Sequence, residues 1–428
     1  LQRSKRAIQN QVLVVKYVVF IYFVIILLQQ IISFAFVFWV AMLLVELGYW
    51  LFVFSRLFFF KIGNNNTFRH KHKKQYEEKI TNTPMISVVI CGRNEALNFK
   101  KNLPFILTQR YPNFEVIVVN DASTDDSALV LNGFVESYPH LLRIVHIEKK
   151  TSQGKKAALS KGIGAAKGDF LLITDADCAP PSIDWVSGMV APLSKHQNIE
   201  IVLGYAPCRH VQSGFLNSFI TFETLWTAIQ YLGFAQAGMP YMGVGRNLLY
   251  KKSLFQQVNG FEKHADLASG DDDLFVNSVS NRQNTTICLD AQTFMWSDPK
   301  TTWEDYRRQK QRHLSAGTRY QFWHQIVLGG IAAAQFFSWF LPLMLIFFNF
   351  SMIFVAIILV IRLILVTIFY GLTIRKLHIG ENKFYFFVKL PLLDLFFIIF
   401  YSTFAAISIV HSLYHQFIHK TQKNIYWK

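Results

Sequence analysis

Between residues 84 and 180 the chain repeats one arrangement, a short run in which nearly every position is apolar, cut off abruptly by carboxylates or amides. ISVVICGRNE (Ile86–Glu95), FEVIVVNDASTDDS (Phe114–Ser127) and FLLITDADC (Phe170–Cys178) all follow it. Rich in Val and Ile and too short for helices, these runs predict strands buried on both faces of a parallel sheet. LRIVHIE predicts one more strand. The stretches between them predict helices. RNEALNFKKNLPFILTQ carries Glu95 in its first turn, DASTDDSALVLNGFVESY has Ser123 or Thr124 to cap it, and GKKAALSKGIGAAKGD starts after Gly154. Ligands of open α/β sheets sit at the carboxyl ends of the strands, so Asp121, Asp175 and Asp177 should meet at one mouth.

Elsewhere the apolar runs are longer. Val12–Leu28 and Ile31–Phe54 approach bilayer-spanning length, as do Val327–Phe348, Met352–Phe369 and Leu390–Val410. The chain therefore reads as a multi-pass integral membrane protein. Residues 1–60 are expected to form an N-terminal transmembrane hairpin, 61–83 a basic cytosolic linker, 84–318 the soluble domain, 319–412 C-terminal transmembrane helices and 413–428 a basic tail. A signal peptide is a weaker reading of the first run, which has no small-residue cleavage site after it. Basic residues at Arg3, Lys5, Arg6 and throughout Lys61–Lys79 put both flanks of the hairpin, and hence the soluble domain, on the cytoplasmic face. Arg375, Lys376 and Lys383 fit that side too, whereas a tail with Lys420, Lys423 and Lys428 would emerge on the other.

Composition agrees with a membrane protein: 428 residues, 52% hydrophobic and 16% aromatic. The formal charge of +16 raises the possibility of nucleic acid. Much of that charge borders the apolar runs, where positive-inside bias and anionic headgroups account for it, and no nucleic-acid partner is expected. Cys91, Cys178, Cys208 and Cys288 are far apart and show no CxxC spacing, so they read as reduced thiols rather than disulfide or zinc ligands.

Chemistry-bearing residues cluster in the soluble part. Asp175 and Asp177 alternate on extended chain and aim roughly one way, a pair able to hold Mg²⁺ or Mn²⁺ together with substrate phosphates. Lys155 and Lys156 follow Gly154 at a helix start, which suits an anionic group, although a solvated basic turn has the same composition. In GMPYMGVGRNLLYKK, Gly243 and Gly245 would let the backbone approach a ligand closely. SGDDDLFVN (Ser269–Asn277) is a second carboxylate cluster, which taken alone is more often a helix N-terminus. Phe215–Gly238, aromatic and containing Glu223, is expected to lie in the headgroup region as an amphipathic helix, with a plain core helix as the alternative. TTWEDYRRQKQRHLSAG (Thr301–Gly317) predicts a basic amphipathic helix, whose charges a membrane surface would explain without any chemistry.

The order RNE, VVNDASTD, GKKAAL, TDAD, GVGRNLLY, SGDDD and QKQRH resembles the family 2 inverting glycosyltransferases over about residues 84–316. The flanking apolar segments resemble the layout of its membrane-bound members, such as cellulose and hyaluronan synthases and ceramide glucosyltransferase. The resemblance implies an α/β fold of GT-A nucleotide-sugar type, flanked by transmembrane helices. It implies a nucleoside-diphosphate sugar donor, expected to be a UDP-sugar, and a lipid, lipid-linked or glycan acceptor. By resemblance Arg93 and Glu95 edge the nucleotide pocket, Asp121 binds base or ribose, Lys155 lies near base or diphosphate, and Asp175 and Asp177 hold donor and metal. Gly245, Arg246 and Asn247 fall on the acceptor side. Asp272 is the expected general base, with Asp271 in reserve because three consecutive acids blur the register. Gln309, Arg312 and His313 match the family's QxxRW motif except that His replaces Trp. In the family that motif contacts diphosphate and acceptor, and the departure weakens any inference of processive synthesis. The competing expectations are a polysaccharide synthase that translocates its product, and an inactive membrane scaffold.

Overall fold

In the computed structural model, the described residues are 2–60, 83–149, 154–194, 198–209, 214–267, 269–377 and 388–407. The chain divides into two compact units, one of Leu1–Tyr49, Leu328–Phe369 and Asp394–Lys428, the other of Trp50–Val327 and Tyr370–Leu393. Nearly all of the expected basic linker and the whole basic tail lie outside the described residues.

The second unit is built on a seven-stranded sheet in the order β3-β2-β1-β4-β7-β6-β8. Its strands are β1 (Ile86–Gly92), β2 (Phe114–Asp121), β3 (Leu142–Ile147), β4 (Phe170–Asp175), β6 (Ile201–Gly204), β7 (Leu248–Lys251) and β8 (Thr285–Cys288). The runs expected to be buried strands are the parallel centre, with β1 paired to both β2 and β4. Val88, Val89, Val116–Val119, Leu171 and Leu172 are wholly buried there, which is why alternation is absent from their sequences. Strand β7 runs antiparallel to β4 and β6, closing the sheet as a mixed one. A separate two-stranded pair joins β5 (Cys178–Ala179) to β9 (Trp296–Ser297) just beyond the carboxyl end of β4.

Sequence order reverses between β1 and β4, so a crevice opens at their carboxyl ends, as it does at switch points of doubly wound sheets. Helix Lys156–Ala165 packs tightly on the sheet beside it. A Cβ at Gly162 would come within 2.8 Å of the Val89 and Val119 side chains, so glycine permits that approach and sets the helix N-terminus over the crevice.

Two expectations are corrected here. Val12–Phe54 is no hairpin, because one helix runs unbroken from Gln2 to Tyr49. Gln29 and Gln30, which separate the two apolar runs, are good helix formers and contain no turn chemistry. The Ser33 hydroxyl, one turn on, donates back to the Gln29 carbonyl at 2.9 Å. The second correction concerns Phe215–Gln236, a helix that is buried over most of its surface rather than presenting a face to headgroups. Within its unit Trp226 meets Trp50 and Phe54 at ring-centroid distances of 5.6 and 5.5 Å, and Phe222 meets Tyr370 at 5.1 Å. Its aromatic surplus is core packing.

Among the described residues four helices are long and apolar enough to cross a membrane: Val15–Phe59, Phe322–Phe347, Met352–Lys376 and Val388–Ile407. In the first unit Arg362 donates to Glu46 at 3.0 and 2.9 Å and to Asp394 at 3.1 Å, joining three of its helical segments. Ser338 and Trp339 add hydrogen bonds to Glu46 and Asp394, both at 2.9 Å.

Candidate active site

The loops after β1 and β2 are tied to each other before they reach any ligand. Asn94, with φ of 58°, accepts from the Thr124 amide at 2.8 Å, and its own amide donates to the Ser123 hydroxyl at 2.9 Å. Asp125 accepts from Ala96 N at 3.1 Å, and Ser127 accepts from Glu95 N at 3.0 Å. These bonds fix the start of helix Ala96–Leu107 and hold Glu95 toward the crevice, where burial raises its carboxyl above the ordinary range and Asp177 lies within electrostatic reach. Asp121 ends β2, buried, while Arg93 is exposed at the rim.

The crevice floor is a charge cluster. Lys155 Nζ lies 2.8 Å from Asp175 Oδ1 and 3.1 Å from Asp271 Oδ2, so the GKK turn, the end of β4 and the DDD segment converge on one ammonium. Burial opposes the charge on Lys155, but Asp175, Asp271 and Asp272 together hold its pKa well above the ordinary value. Asp175 is kept low against its burial by the same ammonium. Among the described residues Asp177 has no such partner. Burial first, and the Asp175 charge second, raise its pKa, and it accepts a hydrogen bond from the Cys178 thiol at 3.2 Å. Asp271 is raised chiefly by burial.

Asp272 both caps helix Asp273–Val279, accepting from Asp273 N at 2.8 Å, and accepts from Gly245 N at 2.6 Å. A carboxylate has about four lone-pair positions, so these two bonds orient it and leave acceptor capacity on each oxygen. A Cβ on Gly245 would stand 3.1 Å from Asp272 Oδ2 and 3.4 Å from Lys155 Nζ, tighter than most such contacts, which accounts for glycine there. Asp273 turns away. It is buried, accepts from Tyr320 at 2.9 Å and from Leu274 N at 2.8 Å, and is pushed up to about 7 by burial and by its neighbour Asp272.

Not every residue expected at the site is there. Asn247 is wholly buried, accepting from the Trp185 indole at 3.0 Å and donating to the Tyr205 and Thr293 carbonyls at 2.9 and 2.8 Å. It secures the entry to β7 and cannot also meet an acceptor. Arg246 bonds the Ser297 hydroxyl and lies within electrostatic reach of both Asp175 and Asp177, which puts it beside the DxD pair. On helix Trp303–Gly317, Gln309 is half-buried and Arg312 and His313 are exposed, with His313 within reach of Asp175.

One further group escaped the sequence reading, and two lysines have roles it did not assign. Lys300, in the segment after β9, acts on both Asp177 and Glu95, and no motif announces it. Lys156, beside Lys155, instead donates to the carbonyls of His264 and Leu267, holding the segment that leads into the DDD cluster. Lys310 pairs with both oxygens of buried Glu223 at 2.6 Å and thereby docks the helix carrying His313 on Phe215–Gln236.

Among the described residues no three His, Cys, Asp or Glu converge as a metal cage. Two adjacent carboxylates at a strand end still fit a hard cation completed by a ligand's phosphates, the usual arrangement for Mg²⁺. Burial and the Asp175 charge raise the Asp177 pKa against the pull of Arg246 and Lys300, so a cation placed there would relieve a costly buried charge.

The mixed sheet with its switch point at β1 and β4 is an α/β fold of GT-A type. Residues 87–258 match the family model described as "Glycosyl transferase family 2". The chain is similar to the "Probable glycosyltransferase YdaM" of Bacillus subtilis, 26% identical over 340 residues that make up 76% of each protein. It is also similar to glycosyltransferase AglE of Haloferax volcanii, 34% identical over 113 residues, 26% of this chain and 36% of that relative. A structural likeness extends to a mannosyltransferase, PcManGT, from Pyrobaculum calidifontis, solved in complex with GDP-Man and Mn²⁺, with a TM-score of 0.48, 20% identity, and coverage of 71% of this chain and 83% of that one. Residues 87–258 thus form a glycosyltransferase family 2 domain, and the protein is a glycosyltransferase.

Proposed function

We propose that the enzyme transfers a sugar from a nucleoside-diphosphate sugar, with inversion, to a lipid or lipid-linked acceptor at the cytoplasmic face of a membrane. The observation that carries this reading is the convergence of Lys155, Asp175, Asp271 and Asp272 at the carboxyl end of β4, with Gly245 closing over them. An ammonium, a DxD pair and an oriented carboxylate are the parts that a donor diphosphate and an attacking hydroxyl need in one place.

Asp175 and Asp177 would hold a divalent cation, Mg²⁺ or Mn²⁺, which when bound neutralises charge on the leaving diphosphate. Lys155, Arg246 and Lys300 place further positive charge around the same carboxylates. The acceptor hydroxyl oxygen attacks the anomeric carbon from the face opposite the diphosphate. The carbon–oxygen bond to the diphosphate breaks with its electron pair leaving on the nucleotide, and the acceptor proton passes to the Asp272 carboxylate. The Gly245 amide and the helix cap fix Asp272 in advance, so little reorganisation accompanies proton transfer.

Support for a lipid acceptor comes from the four apolar helices flanking the catalytic segment in the chain. The Phe215–Gln236 helix lends it no support, since it is buried over most of its surface. The cytoplasmic placement rests on the basic run Lys61–Lys79. With one long helix in place of a hairpin, the Arg3–Arg6 head loses the argument that put it on the same side.

The test is to incubate full-length protein with a panel of UDP- and GDP-sugars, Mn²⁺ and membrane lipid extract, reading nucleotide release and product mass, with the anomeric configuration by NMR. A new glycolipid of inverted configuration is expected. Retention of configuration, or transfer to soluble sugars in preference to any lipid, would overturn the reading.

A further inference from the structure

Lys155 already occupies one oxygen of Asp175, a carboxylate that the metal reading also needs. Its Nζ sits 2.8 Å from Asp175 Oδ1, and the side chains of both partners are only about a third exposed, at 32% and 31%. The ammonium is not a stray surface charge. It begins a helix fixed against the sheet by Gly162, and its second carboxylate, Asp271, has a side chain just 10% exposed. Mg²⁺ and Mn²⁺ bond carboxylate oxygen at a little over 2 Å, whereas an ammonium stands off at hydrogen-bond distance, so one lone-pair direction cannot serve both.

We propose that Lys155 is a built-in counter-cation that competes with the divalent ion for Asp175 and gives up that oxygen when a donor diphosphate offers it a second anionic partner. The inference rests on the metal reading of Asp175 and Asp177 given above. Its consequence is an ordered site: without nucleotide the ion meets a carboxylate already neutralised, while with nucleotide the phosphates draw the ammonium off and add oxygen ligands of their own. The coupling is reciprocal, so whatever factor nucleotide adds to ion affinity, the ion adds to nucleotide affinity. Lys156 has no part in this, being committed to the carbonyls of His264 and Leu267.

Mn²⁺ binding to full-length protein, followed by electron paramagnetic resonance without any sugar donor, separates the possibilities. The wild type should bind Mn²⁺ weakly alone and much more tightly with UDP or GDP. Lys155→Gln should bind Mn²⁺ alone at least about tenfold more tightly than the wild type, the scale of one pKa-sized charge interaction. Lys155→Arg, which keeps the charge, should stay near the wild-type affinity and guards against a folding defect in the Gln variant. Lys161→Gln, which removes an exposed charge from the same helix, should change affinity less than twofold, excluding a general field effect. If Lys155→Gln binds Mn²⁺ no more tightly than the wild type while nucleotide-dependent binding persists, the competition is refuted and the metal site stands. If neither protein binds Mn²⁺ with UDP or GDP, the metal reading falls and takes the competition with it.

Discussion

Asp273 offers a measurement that needs no knowledge of the substrate. The residue is 8% exposed, its carboxylate accepts hydrogen bonds from Tyr320 and Leu274 N, and burial together with the Asp272 charge pushes its pKa up to about 7. In the unfolded chain the group returns to the ordinary aspartate value near 4. Between those two values the folded protein holds a proton that the unfolded chain has released, so this group's stabilisation is full below about pH 4 and is lost as pH rises to about 7. The slope approaches about −1.4 kcal/mol per pH unit between those values and flattens near pH 7, giving about 2 kcal/mol between pH 5 and pH 7. Asp273→Asn removes the titration and keeps an acceptor for Tyr320. Thermal midpoints of both proteins in one detergent, at one scan rate and at pH 5, 6, 7 and 8, should show the variant gaining on the wild type by several degrees from pH 5 to pH 7, then running parallel. Turnover should survive in the variant, because Asp273 faces away from Gly245 and Lys155. A constant offset at every pH would refute the buried-proton argument. If Asp271→Asn flattens the profile and Asp273→Asn does not, the proton belongs to the neighbouring carboxylate.

Three more outcomes are expected. Asp272→Asn should bind donor nucleotide normally by calorimetry yet lower the transfer rate by about a hundredfold to ten-thousandfold, and if Asp271→Asn alone behaves this way the base is one residue earlier. Asp177→Asn should abolish metal-dependent turnover with an unchanged melting midpoint, since the amide keeps the shape and loses the charge; full activity would remove Asp177 from the metal site. Glu223→Gln should cost about 3–5 kcal/mol by stranding the buried Lys310 ammonium, and adding Lys310→Met should recover much of that loss. Equal melting midpoints for the wild type and the Glu223→Gln single variant would mean the pair is solvated.

What could be read in the sequence, and what could not, divides along a physical line. Strands β1, β2 and β4 were legible because burial on both faces leaves an unbroken Val and Ile run, and their ends were legible because a carboxylate such as Asp121 or Asp175 cannot continue that run unpaired. Periodicity gave the existence of helix Phe215–Gln236 but not its partners. An aromatic helix looks the same whether rings from Trp50, Phe54 and Tyr370 cover it or lipid does. The hairpin error is of the same kind, since a Gln-Gln pair between two apolar runs marks polarity without supplying a turn. Asn247 was misassigned because a motif position names a residue type and not the direction its side chain takes, and only the carbonyls of Tyr205 and Thr293 decide that. The adjacent lysines make the point most sharply. Lys155 and Lys156 carry one charge each, sit at one helix start and give a sequence reader no ground for separating them. Yet the helical turn sends one to Asp175 and Asp271 and the other to backbone carbonyls over a hundred positions away, with sequence separations to His264 and Leu267 of 108 and 111. Both nevertheless act on the same segment, Lys156 by holding its approach and Lys155 by neutralising its first carboxylate. The position of the expected base therefore depends on two lysines that the local pattern assigns to an anion.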